Sequence, residues 1–152
     1  MTTIVISRKH GCMASDSRMT GYNAYVNSRK VERIGDSLYG GCGDAEAIEV
    51  FLEWARGGKI KKNKPKWGDD NIPDFDVVEL CADGIRLWSS RCVPIPVDAD
   101  FWAVGSGGLA AMGAMLCGKT PAEAVEIAKL CDEYTGGDVV VFPLKVTNRA
   151  KK

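Results

Sequence analysis

Hairpins of strand-forming residues, separated by helical segments, are the feature that most constrains the fold of this chain. Two strands are predicted at 2–7 and 12–15, where β-branched and apolar residues flank a polar turn that contains Gly11. The Asp83-Gly84 dipeptide lies between two further β-rich runs and is a strong hairpin signal. Strands joined by hairpins pair antiparallel, so helices are needed only to cover the faces of the sheets.

Three segments have the pattern of helices. Residues 44–54 place apolar side chains at helical spacing, and 109–117 form a run of small apolar residues that is typical of a buried helix. The third helix has a strong start signal, because Thr120 caps it, Pro121 takes the first helical position and Glu123 completes a capping box. Glycines follow each of these segments and end the helices.

Further strands complete the predicted order of strands, helix, strands, two helices and strand. They are predicted at 28–34, 37–43, 75–81, 85–90, 101–104 and 138–144, with a short strand or an extended loop at 22–26. A lysine-rich surface loop is predicted at 59–73 and an extended connector at 93–96. This order predicts an α+β fold in which two packed sheets carry helices on their outer faces.

The length of 152 residues suits one domain with a sizeable core. We assign that domain to 1–147 and a basic tail to 148–152. Lysine plus arginine and aspartate plus glutamate both number 20, which argues against a nucleic acid or an anionic membrane as the main partner. No apolar run approaches the length of a membrane span, and the first residues lack the pattern of a signal peptide. We therefore expect a cytoplasmic protein that binds neither nucleic acid nor a membrane.

Cysteine and histidine are too scattered for a metal site. The six cysteines have no CxxC spacing, and His10 is the one histidine. Zinc sites need clustered Cys and His ligands, so we expect reduced cysteines, no metal and no cofactor. A catalytic triad built on histidine would depend on His10 alone, which we expect to be a turn residue.

Thr2 is the first candidate for catalysis. It follows the initiator Met1 and is small, so Met1 is of the kind that cells usually remove. Removal would leave a threonine that carries both a hydroxyl and a free α-amine. That combination is a nucleophile with its own general base. Such a nucleophile needs a buried cation, an anion to hold the cation, and backbone N–H groups for an oxyanion.

The chain offers candidates for each of these groups. Asp16 ends an apolar strand, where a buried carboxylate would need a partner, and Arg18 and Lys30 are the obvious cations. A surface aspartate at the start of a loop and a solvated strand lysine are the alternative interpretations. Gly43 lies at a strand-to-helix junction, where backbone N–H groups are free to bind an anion.

Six short motifs occur in order over the whole length of the chain. They are Thr2-Thr3-Ile4-Val5, Asp16-Ser17-Arg18-x-Thr20, Arg29-Lys30-Val31-x-Arg33-Ile34, Gly40-Gly41-Cys42-Gly43, Gly105-Ser106-Gly107-Gly108 and Asp132-x-x-Thr135-Gly136-Gly137. No single motif is decisive, but six in order from Thr2 onward carry a resemblance. In these residues the chain resembles the proteasome β-subunit and HslV-type peptidases, which are N-terminal nucleophile hydrolases.

The resemblance implies a threonine-type endopeptidase that hydrolyses peptides or unfolded proteins. Thr2 would be the nucleophile after removal of Met1, with its α-amine as the base. Lys30, held by Asp16, would be the cation near the hydroxyl. Three residues are implied to hold the amine and its water: Ser106, Asp132 and Thr135.

Two glycines and a threonine are implied to bind the substrate. The N–H of Gly43 would stabilise the oxyanion, with Gly41 as a second candidate. Thr20 matches a position whose backbone pairs with an extended peptide. The implied fold is a four-layer αββα sandwich, working in a homo-oligomeric ring with an ATPase unfoldase as a candidate partner.

The chain departs from the family pattern in two places. The family has two helices after the glycine motif, whereas here the loop at 59–73 stands in place of the second, so we expect a shortened fold with one helical layer reduced. Only Met1 precedes Thr2, so we expect no longer propeptide, which resembles the bacterial peptidase.

Three other interpretations stay open. One is a non-catalytic ring subunit that keeps Met1, and another is an amidohydrolase that acts on small amides. A phosphate-binding loop at 105–108 is disfavoured, because the Lys and Ser/Thr that complete a P-loop are missing.

Overall fold

In a computed structural model, the structure is described for residues 1–21, 24–57, 64–68 and 70–144. The predicted tail at 148–152 and much of the predicted loop at 59–73 lie outside these residues. The elements are β1 (Thr3–Ser7), β2 (Cys12–Ser15), β3 (Arg18–Gly21), β4 (Ala24–Asn27), β5 (Val31–Ile34), β6 (Ser37–Gly43), α1 (Ala45–Arg56), β7 (Phe75–Cys81), β8 (Gly84–Trp88), β9 (Ile95–Val97), β10 (Phe101–Gly105), α2 (Gly108–Leu116), α3 (Pro121–Cys131) and β11 (Val140–Pro143).

The elements form four layers. Helices α2 and α3 cover a sheet of order β10-β1-β2-β11, which packs on a second sheet of order β5-β6-β7-β8-β9, and α1 covers the outer face of that second sheet. Strands β3 and β4 form a separate hairpin, and all strand pairs are antiparallel. The predicted αββα fold is confirmed. Within the described residues, α1 is the one helix of its layer.

Strand β1 lies in the middle of the molecule and is buried on both faces. Ile4 and Ile6 pack between the two sheets, while Val5 packs against the small residues of α2 and α3. Successive side chains of a strand point to opposite faces, so Thr3 shares the helix-facing side with Val5. The same alternation, extended by one residue, directs Thr2 towards the second sheet.

Most local predictions are confirmed, including the capping box of α3, in which Thr120 and Glu123 each accept a hydrogen bond from the other's backbone N–H. Three predictions need correction. Strand β3 was not predicted, and the connector at 93–96 contains the start of β9. Helix α2 is not buried all round, since Leu109 and Leu116 are 91% and 75% exposed. Ala111, Ala114 and Met115 face the sheet, and the two leucines face outward. None of the described helices is long and apolar enough to span a membrane.

Phe51 of α1 is expected to be the main side chain that holds this helix on the second sheet. Its ring lies 5.4–6.4 Å, between centroids, from four other aromatic rings: Tyr39, Trp54, Phe75 and Trp88. We predict that Phe51→Ala lowers the free energy of unfolding by about 3–5 kcal/mol, because it leaves a cavity in this cluster. Urea denaturation measures the change.

Val50→Ala is the matched control, because Val50 is the preceding residue of the same helix and is 44% exposed. We expect a change within about 0.5 kcal/mol. Equal losses in the two variants would contradict the proposed anchoring role of Phe51.

Candidate active site

A buried carboxylate, Asp16, lies at the end of β2 and is 1% exposed. Its Oδ1 accepts the backbone N–H of Thr3 at 2.8 Å and the ammonium of Lys30 at 2.9 Å. Its Oδ2 accepts the N–H of Gly136 at 3.1 Å. The antiparallel register of β1 and β2 places Asp16 beside Thr3. The alternative interpretation of Asp16 as a surface residue is therefore wrong.

Lys30 is the cation that Asp16 holds, in preference to Arg18. Its side chain is 7% exposed, so the interpretation as a solvated lysine is also wrong. Burial lowers the pKa of Lys30 below its usual value, while the hydrogen bond and charge of Asp16 oppose that shift and favour the ammonium. A second N–H of Lys30 reaches the carbonyl oxygen of Met1 at 2.8 Å. The charge thus lies at the Met1–Thr2 peptide bond.

A second polar network lies on the other side of β1. Ser106 and Thr135 donate hydrogen bonds to Oδ2 of Asp132, at 2.6 and 2.5 Å. The hydroxyls of Thr3 and Thr135 are 2.6 Å apart. Because Thr135 gives its proton to a carboxylate, Thr3 is the donor in that pair. Thr3 thereby connects both networks, through its backbone to Asp16 and through its side chain to Asp132.

Asp132 is kept ionised by its partners. Partial burial opposes ionisation, but the hydrogen bonds from Ser106, Thr135 and the Tyr134 N–H outweigh it and lower the pKa of Asp132. The positive charge of the chain's N-terminus adds to this lowering, so the terminal amine lies within electrostatic reach of Asp132. The three residues implied to hold the amine are thus joined in one network near the terminus.

Gly105 allows the N-terminal residues to reach this position. It pairs with Thr3 in the β1–β10 ladder and has a φ of +95°, a value that favours glycine. A Cβ at Gly105 would lie 1.7 Å from the carbonyl oxygen of Thr2. Any larger residue would push Thr2 away from Lys30.

The two candidate oxyanion donors differ in their hydrogen bonding. The N–H of Gly41 points to the carbonyl of Lys30 at 3.4 Å. Gly43 is two residues further along β6 and lies beyond the start of β5, whose first residue, Val31, is opposite Gly40. Gly43 has a φ of +107°, and a Cβ there would lie 2.5 Å from the Asp74 carbonyl oxygen. Gly43 is therefore the better candidate for an oxyanion donor.

A groove of about 760 Å³ opens in front of Thr2. It runs between the β3 region, the segment that leads into β5, the end of β6 and the first turns of α1. Five of the residues singled out from the sequence line it: Thr2, Thr20, Lys30, Gly41 and Gly43. The other four, Asp16, Ser106, Asp132 and Thr135, are in the two networks that hold the N-terminal residues. Within the described residues, no group of His, Cys, Asp and Glu could hold a metal ion.

Sequence reasoning missed three residues that hold the site together, namely Thr3, Gly105 and Gly136. Thr3 had a signal, because a polar residue in the all-buried strand β1 needs a hydrogen-bond partner. Gly105 and Gly136 had none beyond their place in the motifs. Their importance comes from close approach to segments that are distant in the sequence.

Comparison with known proteins identifies the fold. No protein-family model matches the sequence, and no curated protein matches it either. The structure is similar to eukaryotic HslV from Trypanosoma brucei, with a TM-score of 0.69 and 21% identity over 92% of this chain and 98% of that chain. The chain has the HslV fold.

A second solved protein has the same HslV fold. It is Thiobacillus denitrificans BPH, with a TM-score of 0.64 and 22% identity over 95% of this chain and 99% of that one. The structure of BPH in complex with epoxomicin gives a TM-score of 0.65 and 21% identity, over 95% and 100% of the two chains. The fold implied by the six sequence motifs is confirmed at this level.

The ion pair between Asp16 and Lys30 is expected to be strongly coupled. Asp16→Ala would leave the buried ammonium of Lys30 without a counter-charge and two backbone N–H groups without an acceptor, so we predict a loss of about 3–5 kcal/mol in the free energy of unfolding. The double variant with Asp16→Ala and Lys30→Met should lose about 1–3 kcal/mol less free energy of unfolding than the sum of the losses in the two single variants. Urea denaturation of the four proteins measures this coupling.

The exposed pair of Glu126 and Lys129, 3.0 Å apart on α3, is the control for this cycle. Its coupling should not exceed about 0.5 kcal/mol. If the Asp16–Lys30 coupling is no larger, the two side chains do not form the buried pair described here.

Gly105→Ala should displace the N-terminal residues. We predict a loss of about 2 kcal/mol or more in the free energy of unfolding, because the new Cβ meets the Thr2 carbonyl and the positive φ is strained. Gly113→Ala in α2 is the control, since a Cβ there has no heavy atom within 4 Å. That change should stabilise the protein by about 0.5–1 kcal/mol. Similar effects at both positions would contradict the close approach of Thr2 to Gly105.

Proposed function

We propose that this protein is a threonine peptidase of the HslV and proteasome β-subunit type, with Thr2 as the nucleophile. The observation that carries the proposal is the hydrogen bond from the buried Lys30 ammonium to the carbonyl of the Met1–Thr2 bond. It places a charge, itself held by Asp16, at the residue that would become the N-terminus.

The reaction starts with proton transfer inside Thr2. An ordinary α-amine has a pKa of about 7.7–8.0, and a neighbouring ammonium such as that of Lys30 favours its neutral form. The amine takes the hydroxyl proton while the hydroxyl oxygen attacks the carbonyl carbon of the substrate. The negative charge that develops on the carbonyl oxygen is stabilised by the N–H of Gly43. Loss of one such donor typically costs roughly 3–4 kcal/mol.

The second half of the reaction restores Thr2. The C–N bond of the tetrahedral intermediate breaks, and the protonated amine gives its proton to the leaving amine, which leaves an ester on the Thr2 oxygen. The neutral amine then takes a proton from water, whose oxygen attacks the ester carbonyl. Breakage of the ester bond releases the new carboxyl terminus and returns the proton to the Thr2 oxygen. Asp132 and the hydroxyls bonded to it orient the amine in both halves.

Removal of Met1 is required for this chemistry. While Met1 is attached, the Thr2 nitrogen is an amide and has no basic lone pair. The Met1 carbonyl also accepts an N–H of Lys30, and removal of Met1 would release that donor. Met1 is 59% exposed, which leaves the terminus open to an aminopeptidase.

The alternative function is a non-catalytic homologue that keeps Met1. The Met1–Lys30 hydrogen bond favours it, because that contact stabilises the untrimmed terminus. The groove in front of Thr2 extends from β3 to α1, which is larger than a small amide requires and favours a peptide substrate. The similarity to HslV further leads us to propose assembly into a homo-oligomeric ring that works with an ATPase unfoldase.

The central test compares Met1-free protein with Thr2→Ala. We predict that the protein with Thr2 at its terminus cleaves fluorogenic peptides and that Thr2→Ala lowers kcat/KM by at least about a thousandfold. Thr2→Ser should keep measurable activity, because serine offers the same hydroxyl and amine. Intact mass and N-terminal sequencing establish the terminus before each assay.

Material that retains Met1 provides a second control. It should be inactive and should gain activity in proportion to the mass lost when a methionine aminopeptidase removes Met1. Epoxomicin, with which BPH was solved, provides a readout without turnover, and should raise the Tm of the trimmed protein but not of Thr2→Ala. Trimmed protein that neither cleaves peptides nor responds to epoxomicin would refute the peptidase and favour the structural homologue.

A further inference from the structure

Three arginines line the groove in front of Thr2: Arg18, Arg29 and Arg33. Each donates an N–H to a backbone carbonyl oxygen, and the acceptors are, in the same order, Glu133, Val31 and Pro143. Among the described residues, none of the three forms an ion pair with a carboxylate. A guanidinium has five N–H donors, so each arginine keeps capacity for a ligand.

Aromatic rings hold two of these arginines in place. The guanidinium of Arg18 lies 4.8 Å from the ring centroid of Tyr25, and that of Arg29 lies 5.3 Å from the ring centroid of Phe142. Stacking of this kind reduces the freedom that an arginine loses when it binds a ligand. Burial is the main cause that lowers the pKa of Lys30, and the charge of Arg18 adds to the lowering, so Arg18 lies near that lysine.

One guanidinium, that of Arg56, contacts both acidic side chains that line the groove. Glu32 accepts two hydrogen bonds from Arg56 of α1, at 2.8 and 2.5 Å, and Glu49 lies 3.8 Å from the same guanidinium. Lys30 and Asp16 compensate each other in the same way. The three groove arginines together with Arg56 outnumber these two glutamates, so the groove keeps an excess of positive charge.

We propose that this groove selects peptide segments that carry aspartate or glutamate close to the bond to be cleaved. This inference rests on the proposed peptidase function and specifies its substrate class. Guanidinium groups bind carboxylates through paired, charge-assisted hydrogen bonds, which a neutral side chain cannot replace. A basic groove also attracts an acidic chain before contact is made.

The test uses a set of quenched fluorogenic peptides that share one sequence. Glutamine occupies each position around the cleavage site in the parent peptide, and each is replaced in turn by glutamate or by lysine. With Met1-free protein we expect kcat/KM to be roughly tenfold higher for glutamate than for glutamine in at least one position, and lower for lysine. The preference should shrink in about 0.5 M salt, because exposed charges are screened.

Variants of the arginines assign the preference to the groove. Arg29→Gln and Arg33→Gln should each lower the glutamate-to-glutamine ratio about two- to threefold, whereas Arg29→Lys and Arg33→Lys should keep most of it. The lysine variants separate loss of charge from loss of folding. Arg91→Gln is the matched control, because Arg91 is exposed and is not among the residues that line the groove. The glutamate-to-glutamine ratio of kcat/KM for this control should equal that of the unchanged protein.

The outcomes distinguish this inference from the proposed function. Cleavage with no glutamate preference, or with a lysine preference, would overturn the inference and leave the peptidase standing. Thr2→Ala protein provides an arm without catalysis, in which fluorescence anisotropy measures binding of the same peptides. If no peptide is cleaved by trimmed protein, tighter binding of glutamate peptides would still support the selectivity of the groove. Equal binding of the glutamine, glutamate and lysine peptides by Thr2→Ala protein would overturn the inference.

Discussion

The carboxylate of Asp16 is the group on which the arrangement of this site depends. A charge that is buried to this degree must be paired, and three segments far apart in the chain supply its partners. These are the start of β1 at Thr3, the residue that leads into β5 at Lys30, and the turn after α3 at Gly136. One carboxylate thus sets the relative positions of the N-terminus, a buried cation and the loop next to Asp132.

The sandwich makes this arrangement rigid. Strand β1 is packed between the second sheet and the helices α2 and α3. Thr2, which precedes this strand, therefore lies at the edge of the two layers. Lys30 approaches Thr2 from the side of the second sheet, and the network of Ser106, Asp132 and Thr135 approaches from the helical side. A nucleophile that carries its own base needs such a setting, because its amine and its hydroxyl must be held by different partners.

Met1 and the groove arginines lie outside this centre and make further electrostatic contacts. The Met1 carbonyl accepts a hydrogen bond from Lys30, and the Thr2 nitrogen of the untrimmed chain is an amide, so the proposed nucleophile has no free amine until Met1 is removed. Beyond it, Arg56 pairs with the glutamates of one wall, whereas the hydrogen bonds and cation–π contacts of the groove arginines, among the described residues, go to backbone oxygens and aromatic rings. The site therefore combines an internally balanced centre with an entrance that is positively charged.

The sequence by itself determined the order of the elements, the hairpins, the capping box of α3 and the residue types of the site, because periodicity, turn chemistry and motifs are local properties. It did not reveal strand β3, whose four residues 18–21 are a short run with one apolar side chain and a terminal glycine, or the exposed outer face of α2. The choice of Lys30 over Arg18 as the partner of Asp16, and the preference for Gly43 over Gly41 as the candidate oxyanion donor, came only from the tertiary structure. The roles of Thr3, Gly105 and Gly136 did as well. Each of these depends on contacts between segments that are distant in the sequence. The burial and the backbone direction of these residues are set by tertiary packing, which no local sequence pattern encodes.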